Sequence, residues 1–107
     1  MDISKYKVIV TPTAYKEMNK IYDYISDNLY AKNAAKSLMN KIEEEVQRLK
    51  YAPKLYPEIN KIDELKRTYR RIVIKNYVVL YTIDDNNCNV YISHIYYSGR
   101  NYMECEL

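Results

Sequence analysis

Between positions 66 and 75 the basic side chains Lys66, Arg67, Arg70, Arg71 and Lys75 occur without one intervening acid. On a strand, alternate residues project to opposite faces, so Arg67, Tyr69, Arg71 and Lys75 would share one side and Lys66 and Arg70 the other. Arginine beside tyrosine suits a nucleic acid, because a guanidinium grips phosphate oxygens in pairs and any base stacks on an aromatic ring. The same run also serves as a charged edge that keeps a strand from aggregating. A second stretch with chemical potential is His94-Ile95-Tyr96-Tyr97-Ser98-Gly99-Arg100-Asn101-Tyr102. Gly99, the only glycine, permits a turn or bulge that would bring Arg100 and a tyrosine beside the basic strand. His94, the only histidine, reads as a packed or edge residue more readily than as a base.

Several chemistries are missing. There is no glycine-rich phosphate loop and no Ser-His-Asp set with histidines to spare. Cys88 and Cys105, with one histidine, lack the spacing of a zinc site. No metal and no cofactor is expected, and both cysteines are expected as free thiols of a reducing cytosol. The net charge of +3, from 17 basic and 14 acidic residues, is too small to drive strong nucleic-acid binding by itself. The 107 residues, 48% of them apolar, fit one domain with its own core. No apolar run approaches the ~20 residues that span a bilayer, and the N-terminus lacks a secretory layout, so a cytoplasmic domain without membrane contact is expected. All the aromatic residues are tyrosines, 14 of them, which suit half-buried faces and contact surfaces.

The elements that must hold these groups follow from periodicity. Tyr6 to Val10 is short, β-branched and closed by Thr11-Pro12, which reads as a strand followed by a helix N-cap. Ala14, Met18, Ile21, Ile25 and Leu29 form one apolar helical stripe ending near Asn28. A second helix begins between Ala31 and Asn33 and runs to about Lys50, with Ala35, Leu38, Ile42, Val46 (or Glu45) and Leu49 inward. The short connection makes an antiparallel helical hairpin. Tyr51 to Glu58, with two prolines, reads as a loop. Leu65 to Ile74, Tyr77 to Ile83 and Asn89 to Tyr97 then read as a three-stranded meander joined at Lys75-Asn76 and at Asp84 to Asn87. The expected class is α+β in the order β-α-α-β-β-β, a helical hairpin on a small antiparallel sheet over residues 1–107.

Three segments carry a resemblance: VIVTPTAYKEMNKIYDYI (Val8 to Ile25), YRRIVIKNYVVLYTID (Tyr69 to Asp84) and VYISHIYYSGRNY (Val90 to Tyr102). In this order the chain resembles the RelE/ParE superfamily of bacterial type II toxins, over nearly its whole length. The resemblance implies a growth-inhibiting toxin of plasmid-stabilising addiction modules, neutralised within a toxin–antitoxin hetero-oligomer by a cognate antitoxin. It leaves two targets open. RelE-like members cut mRNA on the ribosome without a metal, and ParE-like members poison DNA gyrase.

For the nuclease, the resemblance implies Arg70, Arg71, Tyr97, Arg100 and Tyr102 as the catalytic set, and the basic run adds Lys66, Arg67 and Lys75 as candidate contacts to RNA phosphates. Such cleavage needs a base, an acid and cations on the phosphate. Two departures favour gyrase: Val78 stands where nucleases often carry a phosphate-binding arginine, and Tyr97 stands where many carry a histidine. A tyrosine titrating near ~10 is a poor base unless a cation lowers it. A binding module that grips an antitoxin without toxicity is the third reading. For the antitoxin, Tyr22, Tyr24, Tyr51 and Tyr56 are the expected anchors, and the partner is acidic or amphipathic.

Overall fold

The computed structural model describes residues 5–98. Thr11 ends the first strand, β1 (Lys7–Val10), and starts α1 (Pro12–Asp23). Its Oγ1 accepts a hydrogen bond from the Ala14 N–H at 3.2 Å and donates one to the Ile92 carbonyl at 2.8 Å. One side chain thus caps a helix and fastens it to the far end of the sequence. After Asp23 the helix widens into a π-helical turn, Tyr24–Asn28, closed by the Leu29 N–H on the Tyr24 carbonyl at 3.2 Å. The extra residue in that turn rotates the chain beyond it, and Leu29 leaves the expected stripe to stand 54% exposed. Ala14 and Ile25 stay buried, with Met18 and Ile21 packed beside them.

Tyr30, at φ 50°, joins the hairpin, and α2 runs over Lys32–Arg48. Ala35, Leu38, Ile42, Val46 and Leu49 are all buried, as their spacing predicts. Glu45 is buried too, and it holds both the Tyr56 hydroxyl and, at 3.5 Å, Arg48. Burial, followed by the bond to Glu45, raises the Tyr56 phenol above its usual range.

Four further strands complete the chain: β2 (Glu58–Ile62), β3 (Thr68–Ile74), β4 (Tyr77–Asp84) and β5 (Asn89–Tyr97). The sheet order is β1-β5-β4-β3-β2, antiparallel throughout except that β1 lies parallel to β5. The fold is the expected α+β arrangement of a helical hairpin on a sheet, with two refinements. A fifth strand, β2, comes directly after the proline loop, and the sheet is mixed because β1 joins it parallel. β3 begins at Thr68 rather than Leu65, since Asp63 to Lys66 form a turn in which Lys66 adopts φ 67°. Lys66 is therefore not a strand residue, and Lys75, at φ 55°, sits in the hairpin turn beyond β3.

Residues paired across strands share a face. Ile72, Val79 and Ile95 line up across β3, β4 and β5, and Tyr81 pairs with Ile92. These belong to one buried cluster with the helix residues. The opposite face carries Val73, Val78 and Tyr96 in one row and Arg71, Leu80 and His94 in the next. No helix among the described residues is long and apolar enough to cross a membrane.

Candidate functional site

The face of the sheet turned away from the helices has an apolar floor. Val78 and Leu80 are fully buried there, although they stand outside the helix-side core. Thr82, paired with Tyr91, is also buried, and its hydroxyl meets no partner among the described residues. Basic groups flank this floor rather than converge on it: Arg71 stands beside Leu80, and Arg67 lies at the end where β3 begins.

Arg67 is held by a turn built around Asp63. The Asp63 carboxylate accepts the N–H groups of Leu65 at 2.9 Å and Arg67 at 2.8 Å, and its second oxygen takes Arg67 Nε at 2.8 Å. The Asp63 N–H donates to the Arg67 carbonyl at 2.8 Å, and the Lys66 N–H donates to the Asp63 carbonyl at 3.0 Å. Burial pushes this carboxyl up, but the two backbone N–H bonds and the guanidinium outweigh it and hold Asp63 below the usual carboxylate range. The guanidinium carbon lies 4.9 Å from the centre of the Tyr91 ring, a cation–π contact. A cleft of about 440 Å³ opens here, with Thr11, Lys61, Arg67, Tyr69, Tyr91 and Ser93 among its walls. Asp63 and Tyr91 were not anticipated from the sequence. The available signal was an aspartate four positions before an arginine, a separation that a turn closes.

Of the expected nuclease residues, the three that are described, Arg70, Arg71 and Tyr97, are not brought together. Arg70 turns to the helix side, opposite Arg71, where Nη1 donates to the Tyr56 carbonyl at 2.7 Å and Nη2 to Glu58 at 3.0 Å. Adjacent strand residues point to opposite faces, so Arg70 and Arg71 cannot serve one site on either face. Arg70 instead secures the proline loop, as does Tyr81, whose hydroxyl donates to the Pro53 carbonyl at 2.7 Å. Tyr97 pairs with Tyr77 and also faces the helix side, four positions along β4 from Tyr81, the partner of Arg70. Arg100 and Tyr102 lie outside the described residues. His94 stands at the edge of β5 against Glu17, 3.4 Å away, while the other Glu17 oxygen accepts the Ile95 N–H at 2.9 Å. That carboxylate covers the β5 edge beyond the last β1 pair, Val10 with Ile92. Among the described residues no group of three or more His, Cys, Asp or Glu side chains is arranged to hold a metal ion.

On the helix side a second hollow of about 510 Å³ is lined by Lys20, Ile21, Tyr24, Leu29, Tyr77 and Tyr97. The rings of Tyr77 and Tyr97 meet edge to face, 5.4 Å between centres. Burial, then the nearby phenols of Tyr97 and Tyr24, raise the Tyr77 hydroxyl above its usual range. Of the four expected anchors, Tyr24 and Tyr51 are exposed, and only Tyr24 lines this hollow. Tyr22 and Tyr56 are packed against the core.

Comparison of the fold and the sequence with known proteins agrees with this architecture. The chain is similar to the RelBE2 toxin–antitoxin complex of Mycobacterium tuberculosis, with 20% identity, 90% of this chain and 94% of that chain covered, and a TM-score of 0.61. It is similar to the chromosomal ParDE toxin–antitoxin system of P. aeruginosa, with 14% identity, 88% and 97% covered, and a TM-score of 0.69. The archaeal RelE–RelB complex of Pyrococcus horikoshii OT3 matches with 16% identity, 90% and 98% covered, and a TM-score of 0.64. A search of curated protein sequences finds no match. At these identities the structural likenesses establish the fold, and the sequence itself supplies the family. Residues 8–102 match the model of the ParE toxin of the type II toxin–antitoxin system parDE, and the chain belongs to that toxin family.

Proposed function

We propose that this toxin acts in the cytoplasm by binding a protein target, DNA gyrase, and is neutralised by a cognate antitoxin. The observation that carries the reading is the division of the would-be catalytic groups. Arg70 and Tyr97 lie on the helix side, and Val78 fills the slot on the open face where a nuclease would carry a phosphate-gripping arginine. Cleavage of RNA needs cations gathered on one scissile phosphate, and an apolar floor offers it no stabilisation. A protein partner, by contrast, needs no such gathering of cations.

The antitoxin is best matched by the hollow between Tyr24, Leu29, Tyr77 and Tyr97. Its rings suit an apolar anchor of an amphipathic helix, and Lys20 suits an acidic neighbour on that helix. The ribosome-dependent nuclease is favoured by one observation, Arg71 on the open face, and the same experiment separates the two. Purified chain is added to a gyrase supercoiling reaction and, in parallel, to a reconstituted translation reaction with mRNA 5′ ends mapped. Loss of supercoiling with intact mRNA is the expected result, and its abolition by co-expressed antitoxin identifies the complex. Ribosome-dependent cuts that vanish in Arg71→Ala would overturn the gyrase reading.

A further inference from the structure

Two side chains on the open face are buried deeper than their described surroundings account for. Val78 is 0% exposed and Leu80 is 1% exposed, yet neither belongs to the cluster beneath the helices. The helices and the proline loop are bound to the other face, through that cluster and through Arg70 and Tyr81. Thr82, further along β4, has a roof of its own. The Arg67 guanidinium, on the β3 side, reaches the ring of Tyr91 on β5, and β4 lies between those strands. Val78 is flanked by Val73 and Tyr96. Cross-strand neighbours shield the sides of a side chain and leave its top open to water. Val73 is itself half-exposed, so the cover over Val78 stops short of the β3 edge. The Nε of Arg71, in the row of Leu80, is shut off from solvent as well.

We infer that the segment 99–107, which follows the described residues, lies across this floor as a strap. This reading does not depend on the choice of target. The chain leaves β5 at the right place: the Ser98 N–H and hydroxyl both donate to the Asn76 carbonyl, at 2.8 and 3.2 Å. That pins Ser98 at the β3–β4 hairpin, next to the row of Val78 and Tyr96. Leu80 lies only ~7 Å further along β4, and the extended segment spans about 30 Å. Gly99 lets the backbone reverse over the face. The helix side is not its seat, because Tyr24, Leu29 and Tyr97 stay exposed around the hollow there. Composition fits the floor: Tyr102 and Met103 supply apolar cover for Val78 and Leu80, and Glu104 and Glu106 come within reach of Arg71. The strap closes the open face of the free toxin, and a partner reaches that floor only by lifting it.

The first test places a nitroxide on Cys105, the native cysteine of the segment, in a full-length Cys88→Ser chain. Methyl signals are then read by NMR. Val78 and Leu80 are expected to lose intensity well before Ile21 and Leu29, which line the helix-side hollow. The reverse order, or no preference between the two faces, would overturn the strap. The second test measures the rate at which a thiol reagent modifies Val78→Cys in a chain whose native cysteines are serine. Removal of residues 99–107 is expected to raise that rate roughly tenfold or more, while Val79→Cys, beneath the helices, stays slow. A Val78→Cys that remains protected without the segment would overturn the proposal, since flanking side chains would then suffice. If Val79→Cys accelerates equally, the shortened chain has unfolded and the nitroxide result on the full chain decides. Neither readout involves gyrase or antitoxin, so failure here is separate from failure of the target reading.

Discussion

Two side chains illustrate how unequal buried polar groups are. The Thr82 hydroxyl is buried without a partner among the described residues, whereas Asp63 is bound on every side. An unsatisfied buried hydroxyl costs roughly 1 kcal/mol or more, so Thr82→Val, nearly the same in volume, should stabilise the protein by about 1 kcal/mol in chemical denaturation. Asp63 has its native titration lowered, so the folded state binds this proton more weakly than the unfolded chain does. Its contribution is complete above the ordinary carboxylate value of 3.8 and fades as pH falls through the lower native value. In Asp63→Asn that acid-limb dependence should flatten, measured as denaturation midpoints from neutral pH down to pH ~3, below the carboxylate range. An unchanged limb would mean that other carboxylates dominate acid unfolding.

Among the elements, those set by local rules were legible in the residues alone. The α2 stripe is buried at every expected position, and Thr11-Pro12 starts α1 as capping chemistry requires. Thr11→Ala removes both the cap and the link to β5, so a loss of about 1–2 kcal/mol is expected by denaturant melting. Elements set by distant partners were not legible. β2, Glu-Ile-Asn-Lys-Ile, has weak strand character and owes its state to β3, with which it pairs through an irregular register. Leu29 fits a helical stripe by counting, but the π-helical turn moves it out of phase. The parting of Arg70 from Arg71 was hidden for a related reason. Arg70 and Arg71 are adjacent basic residues in sequence, and only the pleat, with Tyr56 and Glu58 waiting on one side, determines that they part. Left-handed joints were equally hidden: Tyr30, Lys66, Lys75 and Cys88 take positive φ without being glycine. Lys75→Gly, at the first position of a two-residue hairpin, should relieve part of the ~1–2 kcal/mol such a conformation costs and raise the melting temperature.

At the scale of the molecule, the two faces of the sheet have different duties. One is sealed by the helices and tied at its end by buried Tyr81, whose phenol is pushed by burial up to about 12. Because the native value lies above the unfolded one of 10.0, its contribution is complete below pH 10.0 and is lost as pH rises toward about 12. Cooperative alkaline unfolding in that window, coincident with tyrosinate absorbance, is the expected observation. Tyrosinate appearing without unfolding would show that the core admits the charge. The parallel pairing of β1 with β5 has a further consequence, one of timing. Thr11 bonds to Ile92, 81 positions away, and Lys7 has no strand partner until Asn89 exists. A nascent polypeptide therefore cannot close this sheet before β5 is made, since β1 waits for it. The β1–β5 pairing closes the longest loop in the sheet and so carries the largest closure entropy of its strand contacts. The toxin fold is complete only after β5 has been made, which leaves an antitoxin already present in the cell the whole synthesis of the intervening residues in which to be ready.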